Sequence, residues 1–343
     1  HAPGAAVDAP STTNMNDVRG EVTAGIHCDF CHKIGGVELD EATGSVYDDK
    51  PGVESLRMLR PPAGDDIFFG PFDDVHDPDT YLPLVSESQY CAACHQYSFF
   101  GTPIYESYNE WLASPYASFV VTCQDCHMPP TGDSYFALPE VGGVARPPDS
   151  IPSHLQLGAG REEFGDYAGL SLIMAQQGRR LWVMLDVNNL GAGHHYPTDY
   201  PGRHLLLTVQ AVDDEGQQLP LESGPRIPDW GGALAGQTGT AYAKILADAQ
   251  TGESPVVSYW KPTPIVSDTR LPALSYATST YVFTLPEGTG EVEVSADLIF
   301  RFQFADLMDQ KDWDRPDIIS ATISRKQAYT PQWVVFAPLV QNP

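Results

Sequence analysis

Outside three closely spaced pairs, the 343-residue chain contains no cysteine. The six fall as Cys28/Cys31, Cys91/Cys94 and Cys123/Cys126, so none is left over for a disulfide framework or a free reactive thiol. Basic residues are also scarce, with 19 Lys and Arg against 45 Asp and Glu and a formal charge of −26. A surface this acidic repels nucleic acid and anionic membranes, which excludes both as expected partners. No apolar run is long enough to span a bilayer. There is no Gly-rich phosphate loop, catalytic triad or basic stripe. The opening His-Ala-Pro lacks the basic and apolar regions of a signal peptide, so the chain reads as a mature, exported protein from which the signal has been removed.

What the chain does have is a histidine directly after each cysteine pair: His32, His95 and His127. Paired cysteines alone suit a zinc site, a redox dithiol or a disulfide. None of these requires histidine immediately after the second cysteine. Three Cys-x-x-Cys-His segments instead fit covalent attachment of three c-type haems. The two thiols meet the two vinyl groups, and the adjacent imidazole binds iron from below. Covalent attachment of this kind takes place outside the cytoplasmic membrane, so the expected location is periplasm, cell surface or medium.

The texture of the chain divides it in two, at about residue 160. Residues 1–160 hold every cysteine, with many Pro, Gly and Asp and little regular periodicity. This predicts a haem-wrapping domain of short helices and loops, with one clearer helix over Ile104–Phe119. Residues 161–343 carry alternating apolar and polar runs. Strands are predicted at Arg180–Val187, His204–Val212, Thr280–Leu285 and Glu291–Phe302, with turns at Asp213–Gly216 and Pro286–Gly290. The expected class is α+β, with the second domain an antiparallel β-sandwich. Residues 230–275 and 305–335 read as longer connections, partly helical, as at Thr240–Ala249. Asp186-Val-Asn-Asn and Asp213-Asp-Glu read as acidic loops whose oxygens would suit calcium or simply face solvent.

Three six-coordinate irons need six axial ligands, and the motifs supply three. His1, His27, His76, His154, His194, His195 and His204 remain. His76 and His154 lie in loops, and His194 and His195 in a glycine-rich segment after a strand. On residue type alone, each is either a ligand or a loop histidine. His27 is too close to Cys28 to reach the far face of its own haem, which leaves a neighbouring haem, another subunit or a surface role. His204 begins a strand and suits packing.

The stretch Gly193-His194-His195-Tyr196-Pro197-Thr198-Asp199-Tyr200-Pro201-Gly202-Arg203, with Glu222-Ser223-Gly224 after it, resembles a segment of exported multihaem cytochromes. Its usual form is Gly-His-x-x-Pro-Thr/Ser-Gly-x-Pro-x-Arg, and Asp199 stands where that form has Gly. Phe69-Gly-Pro-Phe-Asp-Asp, Glu110-Trp-Leu-Ala-Ser-Pro-Tyr-Ala and Cys123-Gln-Asp-Cys-His-Met-Pro are similar to parts of the same family. The resemblance implies His194, rather than His195, as an iron ligand donated by the β-domain. It also implies His76 and His154 as the other distal ligands.

Bis-His irons have no open position, which implies electron transfer with other redox proteins or with haems of neighbouring subunits. Such a chain could also be the protomer of a homopolymeric, haem-lined filament. The competing class is a nitrite or hydroxylamine reductase with one five-coordinate iron. No Cys-x-x-Cys-Lys variant is present, and the surplus of histidines weighs against an open site.

Overall fold

Capping and punctuation, rather than periodicity, shape the first half of the chain. The computed structural model describes residues 19–20, 25–50, 52–62, 65, 67–75, 80–156, 158 and 167–329. It divides into two compact units, His1–Gly158 and Ala159–Pro343.

The first unit is built from short pieces. Helix α1 (Cys28–Cys31) leads into a small antiparallel pair, β1 (Ile34–Val37) with β2 (Leu56–Met58). Helix α2 (Gln89–His95) is followed by a second pair, β3 (Tyr97–Phe99) with β4 (Thr102–Tyr105). Helices α3 (Ser107–Leu112), α4 (Pro115–Ser118) and α5 (Cys123–His127) complete it. The single helix expected over Ile104–Phe119 is therefore a strand end and two helices. Ser114 accepts a hydrogen bond from the Tyr116 N–H and Pro115 opens α4, so the chain restarts there instead of continuing.

Helices this short do not persist on their own and depend on their caps. Helix α5 carries a full capping box. The Thr122 hydroxyl accepts from the Asp125 N–H at 3.3 Å, and the Asp125 carboxylate accepts from the Thr122 N–H at 2.7 Å. Among the described residues only nine apolar side chains are buried in this unit, against 32 in the second. Polypeptide alone thus gives the first unit very little core.

In the second unit, alternation governs. Strands β5 (Ala168–Gln177), β6 (Arg180–Asn189), β7 (His204–Asp213), β8 (Leu221–Ser223), β9 (Gly239–Leu246), β10 (Ile265–Asp268), β11 (Ser275–Thr284) and β12 (Glu291–Arg301) precede helix α6 (Ala305–Lys311) and β13 (Ile318–Ala328). They form two antiparallel sheets, ordered β10-β9-β7-β12-β13 and β5-β6-β11-β8. Leu181, Val183, Leu185 and Val187 of β6 share one apolar core with Leu205, Leu207 and Val209 of β7 and with Val294, Leu298 and Phe300 of β12. Two sheets closing over one core make this unit the expected β-sandwich.

The helical reading of Thr240–Ala249 is corrected. Its Ala, Lys and Leu favour helix, but Gly239–Leu246 is strand β9, paired with β7 on one side and β10 on the other. Tertiary pairing overrides local preference here. The supposed connections 230–275 and 305–335 likewise contain β9, β10 and β13. Asp186 is also not in a loop. It lies within β6 and accepts a 2.5 Å hydrogen bond from Thr278. Asp213 is the last residue of β7, and its carboxylate accepts from the Glu215 and Gln217 N–H groups of the following turn. Among the described residues, no group of three or more His, Cys, Asp or Glu side chains is arranged to hold a metal ion.

Strand β7 is buried on both faces at its start. His204 is completely buried there, stacked on Phe304 at 5.0 Å and edge-on to Trp230 at 5.2 Å. Its Nδ1–H donates to the Gly202 carbonyl at 2.9 Å, and Nε2 has no hydrogen-bond partner. Burial pushes its pKa down to about 4. The unfolded imidazole takes up a proton near pH 6.5, whereas the folded one resists until about pH 4. Stability contributed by the neutral ring is therefore present above pH 6.5 and lost as pH falls towards 4, a change of ~3 kcal/mol. Urea titrations at pH 7 and pH 4.5 should show this loss, and His204→Gln should reduce it.

Candidate metal centre

The His32 imidazole is held on two sides. Its Nδ1 lies 2.5 Å from the Phe69 carbonyl, and Phe68 stacks on its face at 4.0 Å and 9°. A carbonyl can only accept, so the proton sits on Nδ1 and the Nε2 lone pair is left for a metal. The segment Ile67–Phe69 is itself bound to the first motif: Lys33 donates to the Ile67 carbonyl, and the Phe69 N–H donates to the His32 carbonyl at 2.8 Å. Burial pushes the His32 pKa down and keeps the ring neutral, as a ligand must be.

His154 is brought to the same place by a different part of the chain. After the third motif, residues 129–134 run antiparallel to residues 146–153. The Ser153 N–H donates to the Pro129 carbonyl, the Thr131 N–H to Ile151 and the Arg146 N–H to Ser134, each at 2.9 Å. This strap carries His154 to a ring-centroid distance of 5.9 Å from His32, with the planes 40° apart. Two imidazoles on opposite sides of one metal, each bonded at about 2 Å, have centroids roughly 6 Å apart.

Direct hydrogen bonds join the three attachment helices. Tyr90, one residue before Cys91, donates its hydroxyl to the Cys31 carbonyl at 2.7 Å. The Cys123 N–H donates to the Ser88 hydroxyl at 3.0 Å, and the Gln124 amide donates to the Val85 and Glu87 carbonyls at 3.0 and 2.8 Å. None of the six cysteines is in a disulfide. Motif 1 thus touches motif 2, and motif 2 touches motif 3.

The other candidate histidines differ in tautomer and setting. His95 Nδ1 lies 3.5 Å from the Ser107 hydroxyl, and His127 ends α5. His194, in the second unit, donates Nδ1–H to the His195 carbonyl at 2.8 Å and so has the same tautomer as His32. The loop that carries it is pinned by Asn189. That amide donates to the His194 and Leu271 carbonyls at 2.8 and 3.0 Å and accepts from the Ala192 N–H at 3.0 Å. Asp199, where the resembling segments have Gly, takes the left-handed conformation with φ of 59°. His27 is the opposite case. Its Nδ1 accepts from the Phe30 N–H at 3.3 Å as the N-cap of α1, so in the neutral ring the proton is on Nε2. The expected ligand His76, and His1, lie outside the described residues.

These residues fit a covalently bound haem at each motif. The thiols have the required spacing, and a tautomer suited to metal binding is present at His32 and His194. Phe68, Phe119, Val120, Phe136 and Leu155 are exposed apolar side chains in a unit that has few buried ones. What sequence reasoning missed is the support around each ligand: the Phe69 carbonyl, the Tyr90 and Ser88 bridges and the strap. Carbonyl partners leave no trace in side-chain identity. Tyr90 and Ser88 flank the second motif, but nothing in the sequence gives their partners.

No protein-family model and no curated protein matches the chain. Among solved structures, the human F-spondin reeler domain is 12% identical over 48% of this chain and 90% of its own, and its TM-score of 0.20 carries no weight. The penta-haem cytochrome c552 from Thermochromatium tepidum superposes with a TM-score of 0.67, at 20% identity, over 95% of this chain and 82% of that chain. At this identity the likeness is one of fold, and the chain shares the overall architecture of that cytochrome.

Proposed function

We propose that this protein transfers electrons outside the cytoplasm through three closely spaced, covalently attached haems. The observation that carries the reading is the hydrogen-bonded contact between the three Cys-x-x-Cys-His helices. Haems anchored to touching helices would lie close to one another, which would favour tunnelling between them. The fold of a penta-haem cytochrome supports it. The haem supplies a reversible one-electron iron couple, and the polypeptide fixes spacing, ligation and dielectric.

Within this reading Cys28, Cys31, Cys91, Cys94, Cys123 and Cys126 attach the three haems, and His32, His95 and His127 are the proximal ligands. His154 is the distal partner of His32, supported by their 5.9 Å separation. His76 and His194 supply the two remaining distal positions. The Phe69 carbonyl would raise the donor strength of the His32 ring toward a bound iron, which would favour the oxidised state. Partners are other redox proteins or further copies of the chain, and no nucleic acid.

Closed bis-His sites make a clear spectroscopic prediction. The purified protein should be entirely low-spin, and its reduced spectrum should not change under carbon monoxide. A reduced protein in which one iron in three binds carbon monoxide would overturn the bis-His assignment and favour a reductase.

A further inference from the structure

Arg146 lies 19 residues after His127, in no motif of its own, yet it contacts the two segments that approach His32 and His154.

 Ser134, on the arm of the strap that leaves the third motif, accepts the Arg146 N–H at 2.9 Å through its carbonyl. The Arg146 side chain reaches the opposite way. Its guanidinium pairs with the Asp74 carboxylate and lies 3.6 Å from the centre of the Phe72 ring. Phe136, from the strap, stacks on Phe72 at 5.3 Å and 5°.

Asp74 and Phe72 belong to the segment that begins at Phe68 and Phe69, the residues that hold the proximal His32. Arg146 belongs to the strap that ends at His154. One side chain therefore links the support of the proximal imidazole to the support of the distal one. The Arg146 side chain is only 9% exposed whereas Asp74 is 48% exposed, so solvent screens the ion pair and the stack on Phe72 is the buried part of the contact. His154 itself is exposed, and among the described residues no hydrogen bond fixes its ring, so its position depends on the strap.

We infer that Arg146 is a positioning residue: by clamping the strap to the Phe68–Asp74 segment, it sets the His32–His154 separation and keeps that iron six-coordinate. The inference rests on the proposed ligation of one haem by His32 and His154. Without the clamp the strap can lift, and the exposed His154 leaves with it.

The test uses the three-haem holoprotein, with low-temperature electron paramagnetic resonance of the oxidised form and carbon monoxide binding to the reduced form. His154→Ala should open one iron in three. Arg146→Ala should open the same iron, and the double variant should open no more than either single one. Arg146→Lys keeps the charge but loses the planar stack, so it should open a smaller fraction. Asp74→Asn, which preserves volume, reads the same signal should Arg146→Ala fail to accumulate. If Arg146→Ala and Asp74→Asn both leave every iron low-spin while His154→Ala opens one, the clamp is overturned and the ligation stands. If His154→Ala opens none, the ligation and the clamp fall together.

Discussion

Replacing all six cysteines by alanine is expected to unfold the first unit and leave the second folded. The reason lies in where the apolar residues go. Residues between Cys28 and His154 bury only nine apolar side chains among those described, and the tightest cluster is Val46, Ala92 and Tyr108. Full burial of a large apolar side chain is worth about 1.5–3 kcal/mol, whereas ordering each residue's backbone costs about 1–2 kcal/mol. Nine such burials cannot offset the ordering of that whole segment, so another apolar body has to supply the core. The second unit has a continuous core across both sheets and needs no such help. Hydrogen exchange on the variant should show residues 28–154 exchanging at unfolded rates and the strands of 168–328 still protected. Protection in α2 and α5 without haem attachment would contradict this account.

The second large effect is expected at Asn189, which is fully buried at the end of β6. Asn189→Ala removes its bond to the His194 carbonyl, its bond from the Ala192 N–H and one of the bonds to the Leu271 carbonyl. Leu271 still bonds to the Tyr196 N–H at 2.8 Å, so two groups bear most of the cost. At about 1–3 kcal/mol for each buried group left unpaired, the substitution should lower the stability of the second unit by ~3 kcal/mol. Urea unfolding measures this directly. A loss below about 1 kcal/mol would mean that the loop is held by something other than this amide. In the holoprotein the same change should loosen His194, because the amide holds that residue's own carbonyl.

The parts of the fold legible in the sequence are those where one face is wet. Leu181, Val183, Leu185 and Val187 alternate with Arg180 and Asp186, and β6 is found where that alternation predicts it. Strand β5 hides its pattern, because Ile173 and Ala175 are apolar on the face away from the core. Strand β9 was masked by helix-favouring residues that pair between two neighbours. The break between α3 and α4 was available in Ser114-Pro115, a cap followed by an N1 proline.

The candidate site was legible in a similarly selective way. The proposed attachment cysteines and proximal histidines are adjacent in sequence, so spacing alone picks them out as candidates. His154 was recognisable as a candidate only by residue type and resemblance. Its partner, His32, is 122 positions away in the chain, and the strap that joins them is held by backbone bonds. The separation of His27 from the ligand candidates is also structural, since both ring tautomers look alike in a sequence. Contact among the three motifs depends on Tyr90, Ser88 and Gln124 meeting carbonyls and N–H groups that composition does not reveal.

The central claim is that three haems are attached at three touching motifs. Peptide mass spectrometry of the exported, denatured and digested protein tests it most directly. The account predicts three haem-bearing peptides, containing Cys28 and Cys31, Cys91 and Cys94, and Cys123 and Cys126. It also predicts an intact mass equal to the polypeptide plus three haems. Any of these pairs recovered as unmodified thiols or as a disulfide in the mature protein would contradict it.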